Sequence, residues 1–561
     1  MLSRLLFATP SAMALFAVAV AAQATTRVNV SSSGVQGSMG ANDPSISAGG
    51  RFVAFASVAP NLVPGDTNGF ADIFVHDRQT GQTTRVSVDS AGTPANGNNS
   101  DCDISADGRW VVFSSQANNL IAGDTNGTVD VFWHDRQTGQ TSRVSVGATG
   151  QQAVMGGSHG SVSADGRFVA FDSSDNNLVP GDICVSTDVF VRDRLLNTTL
   201  LASTSFLTGQ TFSPRANADI SDDGNTVVYE STADDLVPTD VNGLRDVFAW
   251  SRLTGAISLV SVASSGAQGD RQSLESRVSA DGRFVVFTSG ATNLGAGTGP
   301  GNGNNFDVFL RDRVANTTEC VSIATNGAGA TSFAQGGSIT DDGRFVAFWS
   351  AATNLTANDT NGVYDCFLRD RQNATTIRVS VSASGLQAYS QSTEPSVAGG
   401  GGFVVFTSPA RNITLPDTNG TSDTYLRDLA AIAVATAYGT PCLGTSTFPA
   451  QAEGIGQPFV GNTNFAIGVT DGFPFAAAVL AVATAPASIQ VGTCEVLLGS
   501  ALVLLPTTFT NNLGFTSSPL PIPANQALAG LSVYAQYLVF DPNGQFLNFA
   551  QLSQGLAITL N

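Results

Sequence analysis

The amino-acid sequence predicts an all-β protein: a seven-bladed β-propeller closed by an N-terminal strand, followed by a C-terminal β-sandwich domain. Three observations carry that expectation. Two short signatures recur seven times each at near-constant spacing. The composition favours strands and turns over helices. The strand that the last repeat lacks stands at the start of the array.

The first signature reads GGRFVAF, DGRWVVF, DGRFVAF, DGNTVVY, DGRFVVF, DGRFVAF and GGGFVVF. Its strands begin at Phe52, Trp110, Phe168, Thr226, Phe284, Phe345 and Phe403, with steps of 58, 58, 58, 58, 61 and 58 residues. The second signature, DIFVHDR in its first copy, starts at Asp72, Asp130, Asp188, Asp246, Asp307, Asp365 and Asp423. Each unit holds four strand-like segments, as a propeller blade requires; in the first they are PSIS, FVAFAS, DIFVHD and TTRVSV. Their apolar faces exceed what one small sheet can cover, so neighbouring sheets must pack on one another. That burial, at ~25 cal/mol per Å², is the main term holding such a ring together.

The ends of the array imply closure. The seventh unit has DTYLRDL but no TTRVSV segment after it, and TTRVNV stands instead at Thr25–Val30. Residues 25–431 number 407, against 406 for seven units of 58. An N-terminal strand that completes the last blade removes two open sheet edges. The GGR/DGR and QTGQ turns should then share one face of the ring, and the long connections the other.

The chain has 561 residues, a net charge of −19, 25 arginines and no lysine. Such a charge repels nucleic-acid phosphates and anionic membrane surfaces. Residues 1–24 read as a signal peptide: Arg4, an Ala-rich apolar run and Ala22-Gln23-Ala24 before the cleavage point. The expected location is therefore secreted, extracellular or cell-surface, or periplasmic. No later stretch has the length of a membrane span. Cys102, Cys184, Cys320, Cys366, Cys442 and Cys494 form no CxxC pair, and Cys442 with Cys494 is an open candidate for a disulfide. Residues 432–561 contain no Arg, Lys or His and alternate apolar runs with turn residues, which predicts the separate β-sandwich.

The phrase SADGRFVAF, followed by DVFVRDR and TTRVSV, resembles the TolB-like class of WD-like propeller repeats found in secreted bacterial proteins. The resemblance spans about 400 residues. It implies binding modules with periplasmic or surface partners, and carries no catalytic residue set.

Five within-blade loops carry Asp-x-Asn-Gly-x-x-Asp. They place Asp66, Asn68 and Asp72; Asp124, Asn126 and Asp130; Asp240, Asn242 and Asp246; Asp359, Asn361 and Asp365; and Asp417, Asn419 and Asp423. Oxygens at this spacing, with Gly for the sharp turn, match the start of a Ca²⁺ loop, and the motif resembles a shortened integrin-type propeller loop. The competing reading is turn chemistry, since Asn-Gly forms turns and Asp accepts nearby amide protons. Two units break the pattern, with DICVSTD and GNGNNFD, which favours the turn.

The recurrent Asp77-Arg78, Asp135-Arg136, Asp312-Arg313 and Asp370-Arg371 read as structural charges. His76 and His134 stand where other blades have Arg192, Arg311 or Arg369. His159 is alone, and three histidines leave little room for a histidine metal centre or a Ser-His-Asp triad. The expected function is a monomeric, non-catalytic binding, adhesion or surface-scaffold protein. It would hold a protein or glycan on the long-loop face, with Ca²⁺ as the one candidate cofactor and no enzymatic activity. The alternative is an extracellular polysaccharide hydrolase or lyase with acids in the central funnel.

Overall fold

In a computed structural model the described residues are 25–183, 186–207, 217–295 and 306–429, with strand backbones between 435 and 559. The repeats form seven four-stranded antiparallel sheets. The first is Ala41–Ile46, Phe52–Ser57, Asp72–Asp77 and Gln82–Arg85, in sequence order. Blades 2 to 6 repeat this order, and blade 7 closes as expected. Its outer strand is Thr25–Arg27, with Thr25 opposite Arg427 and Arg27 opposite Tyr425.

The second and third strands carry the core. In every blade the fourth residue of the second strand stacks near an aromatic of the third: Phe55 on Phe74, Phe113 on Phe132, Phe171 on Phe190, Tyr229 on Phe248, Phe287 on Phe309, Phe348 on Phe367 and Phe406 on Tyr425. Ring centroids are 5.7–6.0 Å apart. Valines beside these rings face the adjacent blade, so the apolar clusters straddle blade boundaries. A blade therefore buries its apolar faces only against its neighbours.

The GGR and DGR turns lock neighbouring blades together. Gly166 adopts φ +68°, and a Cβ there would lie 2.2 Å from Cδ1 of Trp110 in the preceding blade. Gly50 of blade 1 stands in the same relation to Phe403 of blade 7, which continues the lock around the whole ring. The turn arginine reaches the third strand of its own blade: Arg109 Nε and Nη2 donate to the Asp135 carboxylate at 2.8 and 2.7 Å. Asp77 therefore pairs with Arg51 and not with its neighbour Arg78. Arg78 instead lies over Phe403, 4.3 Å from the ring centroid, and donates to the Gly50 carbonyl at 2.6 Å.

His76 and His134 are structural, as the repeat alignment implies. Their Nδ1 atoms bond Thr83 and Thr141 Oγ1 at 2.9 and 2.8 Å, and Arg192, Arg311 and Arg369 make the same bond to Thr199, Thr318 and Thr376. Cys102, Cys320 and Cys366 are buried and free.

Beyond residue 435 the backbone forms strands. Ala435–Tyr438, Gly555–Thr559, Ser532–Phe540 and Ala477–Ala483 pair in one sheet, and Gln451–Ile455, Ala466–Thr470 and Thr516–Pro519 in another. The packing expected of a sandwich, the signal peptide and the Cys442–Cys494 pairing lie outside the described residues. Among the described residues no helix is long and apolar enough to cross a membrane.

Candidate functional site

The first strand of each blade faces the ring axis. These segments, such as NSDCDI and AQGGSI, are too polar to serve as core, and they line an axial channel of about 620 Å³. All seven blades contribute to its wall.

The strands share one irregularity. Their register against the second strand shifts between Asn42 and Ser45, Ser100 and Asp103, Ser158 and Ser161, Leu274 and Arg277, Gln335 and Ser338, and Thr393 and Ser396. Such a bulge leaves one residue out of the ladder. In these six blades that residue adopts a left-handed conformation, as does Asn217 at the equivalent position of blade 4: Asp43, Asp101, His159, Asn217, Glu275, Gly336 and Glu394 have φ between 42° and 63°. Asp, Asn and His are enriched in this region, whereas Glu enters it at a cost of about 1–2 kcal/mol. A left-handed torsion kept while the residue varies among Asp, His, Asn, Glu and Gly marks a position where the turn of the backbone toward the axis matters.

Carboxylates from the preceding blade hold this ring. The Asp43 N–H donates to Glu394 at 3.2 Å, the Asp101 N–H to Asp43 at 3.4 Å and the Gly336 N–H to Glu275 at 2.9 Å. In blades 4 and 5 the acceptors are second-strand acids: Asn217 N–H donates to Asp172 at 2.8 Å and Glu275 N–H to Glu230 at 3.4 Å. Asp172 also holds His159, Nδ1 to Oδ2 at 3.2 Å, and that bond raises the imidazole pKa.

A second tier lies deeper. Asp103 accepts Ser45 Oγ at 3.0 Å and the Val162 N–H at 2.9 Å, and Asp219 accepts Ser161 Oγ at 2.9 Å and the Val278 N–H at 2.8 Å. Burial raises both carboxyl pKa values. Asp222 and Asp341 sit where the first strands run into the DGR turns. Burial, then the charges of Asp341 and Asp103, push Asp222 up to about 6. Burial, then Glu394 and Asp101, push Asp43 to about 6 at the other end. The carboxylates in this wall face only Arg277 and His159 as basic groups among the described lining residues, so the channel attracts cations and repels anions.

The Asp-x-Asn-Gly-x-x-Asp loops lie apart from the channel and have their own network. In blade 1 Asp72 accepts Ser87 Oγ at 2.6 Å, Asn68 Nδ2 at 2.8 Å and Arg85 Nη1 at 2.9 Å, while the same Arg85 atom stands 3.1 Å from Asp66. Asn68 also donates to the Ala95 carbonyl at 3.1 Å and accepts the Phe70 N–H at 3.0 Å, which staples the loop to the connection into blade 2. Blade 2 repeats this with Asn126 on Asp130, and Arg143 3.6 Å from Asp124 and 3.4 Å from Asp130. Blade 6 does so with Asn361 on Asp365, and Arg378 near Asp359 and Asp365 at 3.5 and 3.4 Å. In blade 4 Gln268 donates to Asp240 and Asp246 at 2.6 and 2.9 Å, and Asn242 to the Gly269 carbonyl at 3.1 Å. In blade 7 Gln36 reaches Asp417 and Asp423 at 3.0 and 2.8 Å, Asn419 donates to Asp423 at 3.1 Å, and Arg27 Nε stands 2.9 Å from Asp423. One oxygen each of Asp240, Asp359 and Asp417 is buried without a partner. The two aspartates of a loop thus hold a guanidinium or an amide between them, and the Asn turns its N–H₂ toward the carboxylate. Cation binding there would require those donors to leave. Among the described residues no three His, Cys, Asp or Glu side chains converge as a metal cluster.

Counting acids in the loops overlooked the channel ring. Its signal was present as a column read at the repeat spacing, Asp43, Asp101, His159, Asn217, Glu275, Gly336, Glu394, whose chemistry drifts while its backbone torsion does not.

The chain folds its repeats as a seven-bladed β-propeller. No family model and no curated protein matches it. Solved structures that match include TolB from Acinetobacter baumannii at 12% identity, covering 55% of this chain and 59% of that one, with a TM-score of 0.34. TolB from Agrobacterium tumefaciens matches at 13% identity over 64% of this chain and 97% of that one, with a TM-score of 0.35. A puromycin-hydrolyzing peptidase of Mycobacterium tuberculosis matches at 14% identity over 80% of this chain and 61% of that one, with a TM-score of 0.41. The expectation that the chain is not an enzyme is corrected here: the matching structures include peptidases, and a fold alone does not decide between binding and catalysis.

Proposed function

We propose that the protein is a binding propeller acting outside the cytoplasm, and that the channel mouth on its long-loop face takes an extended, positively charged segment of a partner protein. The observation that supports this reading is the ring of left-handed residues, which turns Asp43, Asp101, Glu275 and Glu394 toward one axis. Carboxylates gathered in a partly desolvated cavity favour a cationic ligand and penalise an anionic one. A protein segment fits this charge better than a neutral glycan does. The leader read at residues 1–24 supports the location.

Isothermal calorimetry of the full chain with an Arg- and Lys-containing peptide, against the same peptide carrying Glu, tests the reading. The basic peptide is expected to bind, more weakly as salt rises, and to lose at least ten-fold in affinity when Asp43→Asn and Asp101→Asn are combined. Equal binding of the Glu peptide, or no effect of the double change, overturns it.

A further inference from the structure

Blade 6 departs from the channel repeat in two coupled places. At the bulge, where the other blades carry a side chain, it has Gly336. On its second strand it has Trp349, where the other blades have Ala56, Ser114, Asp172, Glu230, Thr288 and Thr407. The two changes fit each other. A Cβ at residue 336 would stand 2.8 Å from Trp349 Nε1, so the indole occupies space that the absent side chain leaves.

Trp349 lines the channel together with Glu275 and Glu394. It is also the inner end of a file of aromatic rings: Tyr364 meets it edge-on at 4.7 Å, Phe333 lies at 6.2 Å, and Phe306 lies 5.5 Å from Phe333. All four rings are half-buried. Glu275 is engaged on both oxygens, by Gln335 Nε2 on one and by the Gly336 N–H and Thr288 Oγ1, at 2.9 and 3.3 Å, on the other. Glu394 is exposed and gives one oxygen to the Asp43 N–H at 3.2 Å. By the repeat relation that sets the Asn217 backbone on Asp172 and that of Glu275 on Glu230, the position of Glu394 faces the second-strand position that Trp349 holds, and both residues line the channel.

We propose that Trp349, Glu394 and the bare backbone at Gly336 form the anchor subsite of the channel, holding a guanidinium or alkylammonium group against the indole face. The inference rests on the channel being a cation site and names the group that enters deepest. An indole attracts a cation through its ring quadrupole, most strongly where water is excluded, and a neighbouring carboxylate supplies the counter-charge. At the bulges of the other blades a side chain takes the place that the indole holds here.

Tryptophan fluorescence of the full chain, titrated with arginine amide and with tetramethylammonium, tests the subsite. The remaining tryptophans, Trp110, Trp133 and Trp250, are absent from the channel wall, so Trp349→Phe isolates the signal. Both probes are expected to change the emission saturably, Trp349→Phe to abolish the change, and the exposed variant Glu394→Gln to weaken binding at least ten-fold. Saturable quenching by cellohexaose with none by the cations would mark a glycan site and overturn the proposal. If Trp349→Phe leaves the basic peptide's affinity intact while the Asp43→Asn, Asp101→Asn pair lowers it, the subsite fails and the channel reading stands. If neither peptide nor cations bind, both fall.

Discussion

Arg27 and Asp423 join the two ends of the propeller: Arg27 Nε stands 2.9 Å from an Asp423 oxygen on a strand that belongs to the last blade. Asn29 adds a 2.6 Å hydrogen bond to the same carboxylate. Both charged side chains are at least nine-tenths buried, so the pair is shielded from solvent, and its loss should be felt by the whole ring.

Arg27→Ala is therefore expected to leave Asp423 buried without its counter-charge and to cost about 3–5 kcal/mol in urea unfolding. Asp423→Asn in the same background should recover part of that loss, because the stranded charge is then gone.

The pH dependence follows from two opposed sets of carboxyls. Asp77 and Asp135, held by Arg51 and Arg109, lie below the usual range, and Asp312 and Asp370 lie at about 2. Their contribution is present above about pH 4 and is lost as pH falls through the folded values. Asp43 and Asp222, raised to about 6, contribute below about pH 4 and lose it as pH rises through 6. The combined contribution of these groups is therefore expected to peak near pH 4. Asp43→Asn keeps a residue suited to φ 52° and should flatten the decline between pH 5 and 7, read as thermal midpoints across a buffer series.

The blade-to-blade lock predicts a contrast between two glycines with similar torsions. Gly166→Ala would drive a methyl into Trp110 and is expected to cost about 2–4 kcal/mol. Gly139→Ala, at φ +74° with nothing within 4 Å, should cost only about 1 kcal/mol, the torsional part alone. Equilibrium unfolding of the two variants measures the difference.

Excess chelator is expected to shift the thermal midpoint by less than the roughly 2–4 °C that 1 kcal/mol produces in a domain of some 150–250 residues. Arg85, Arg143, Arg378 and Arg27 already stand against the loop carboxylates that calcium would need. A larger shift would show that a cation replaces them.

The blades were legible because their determinants are local and repeated: an aromatic at Phe52, Trp110 or Phe168 after a Gly turn, and a strand starting at Asp72 or Asp130. Closure was legible because TTRVNV had only one sheet edge to complete, and Arg27 does lie opposite Tyr425. The partner of Asp77 was not, because Arg51 is 26 residues away in sequence and only strand pairing brings it near. The channel ring was hidden for a related reason. Its defining property is a torsion, and the acids Asp43 and Glu394 share the column with His159, Asn217 and Gly336, so no single residue type marks it.

Asn29 and Asp423 are 394 residues apart, yet they meet in one blade. At translation rates of about 5–20 residues per second, the opening strand waits roughly 20–80 s before its partner has been made. Six blades can assemble on one another during that interval, but the circle cannot be sealed until nearly the whole array exists. The last event of folding is thus assigned to the opening strand of the array, and any factor that protects the unfolded chain must keep Thr25–Arg27 unoccupied until then.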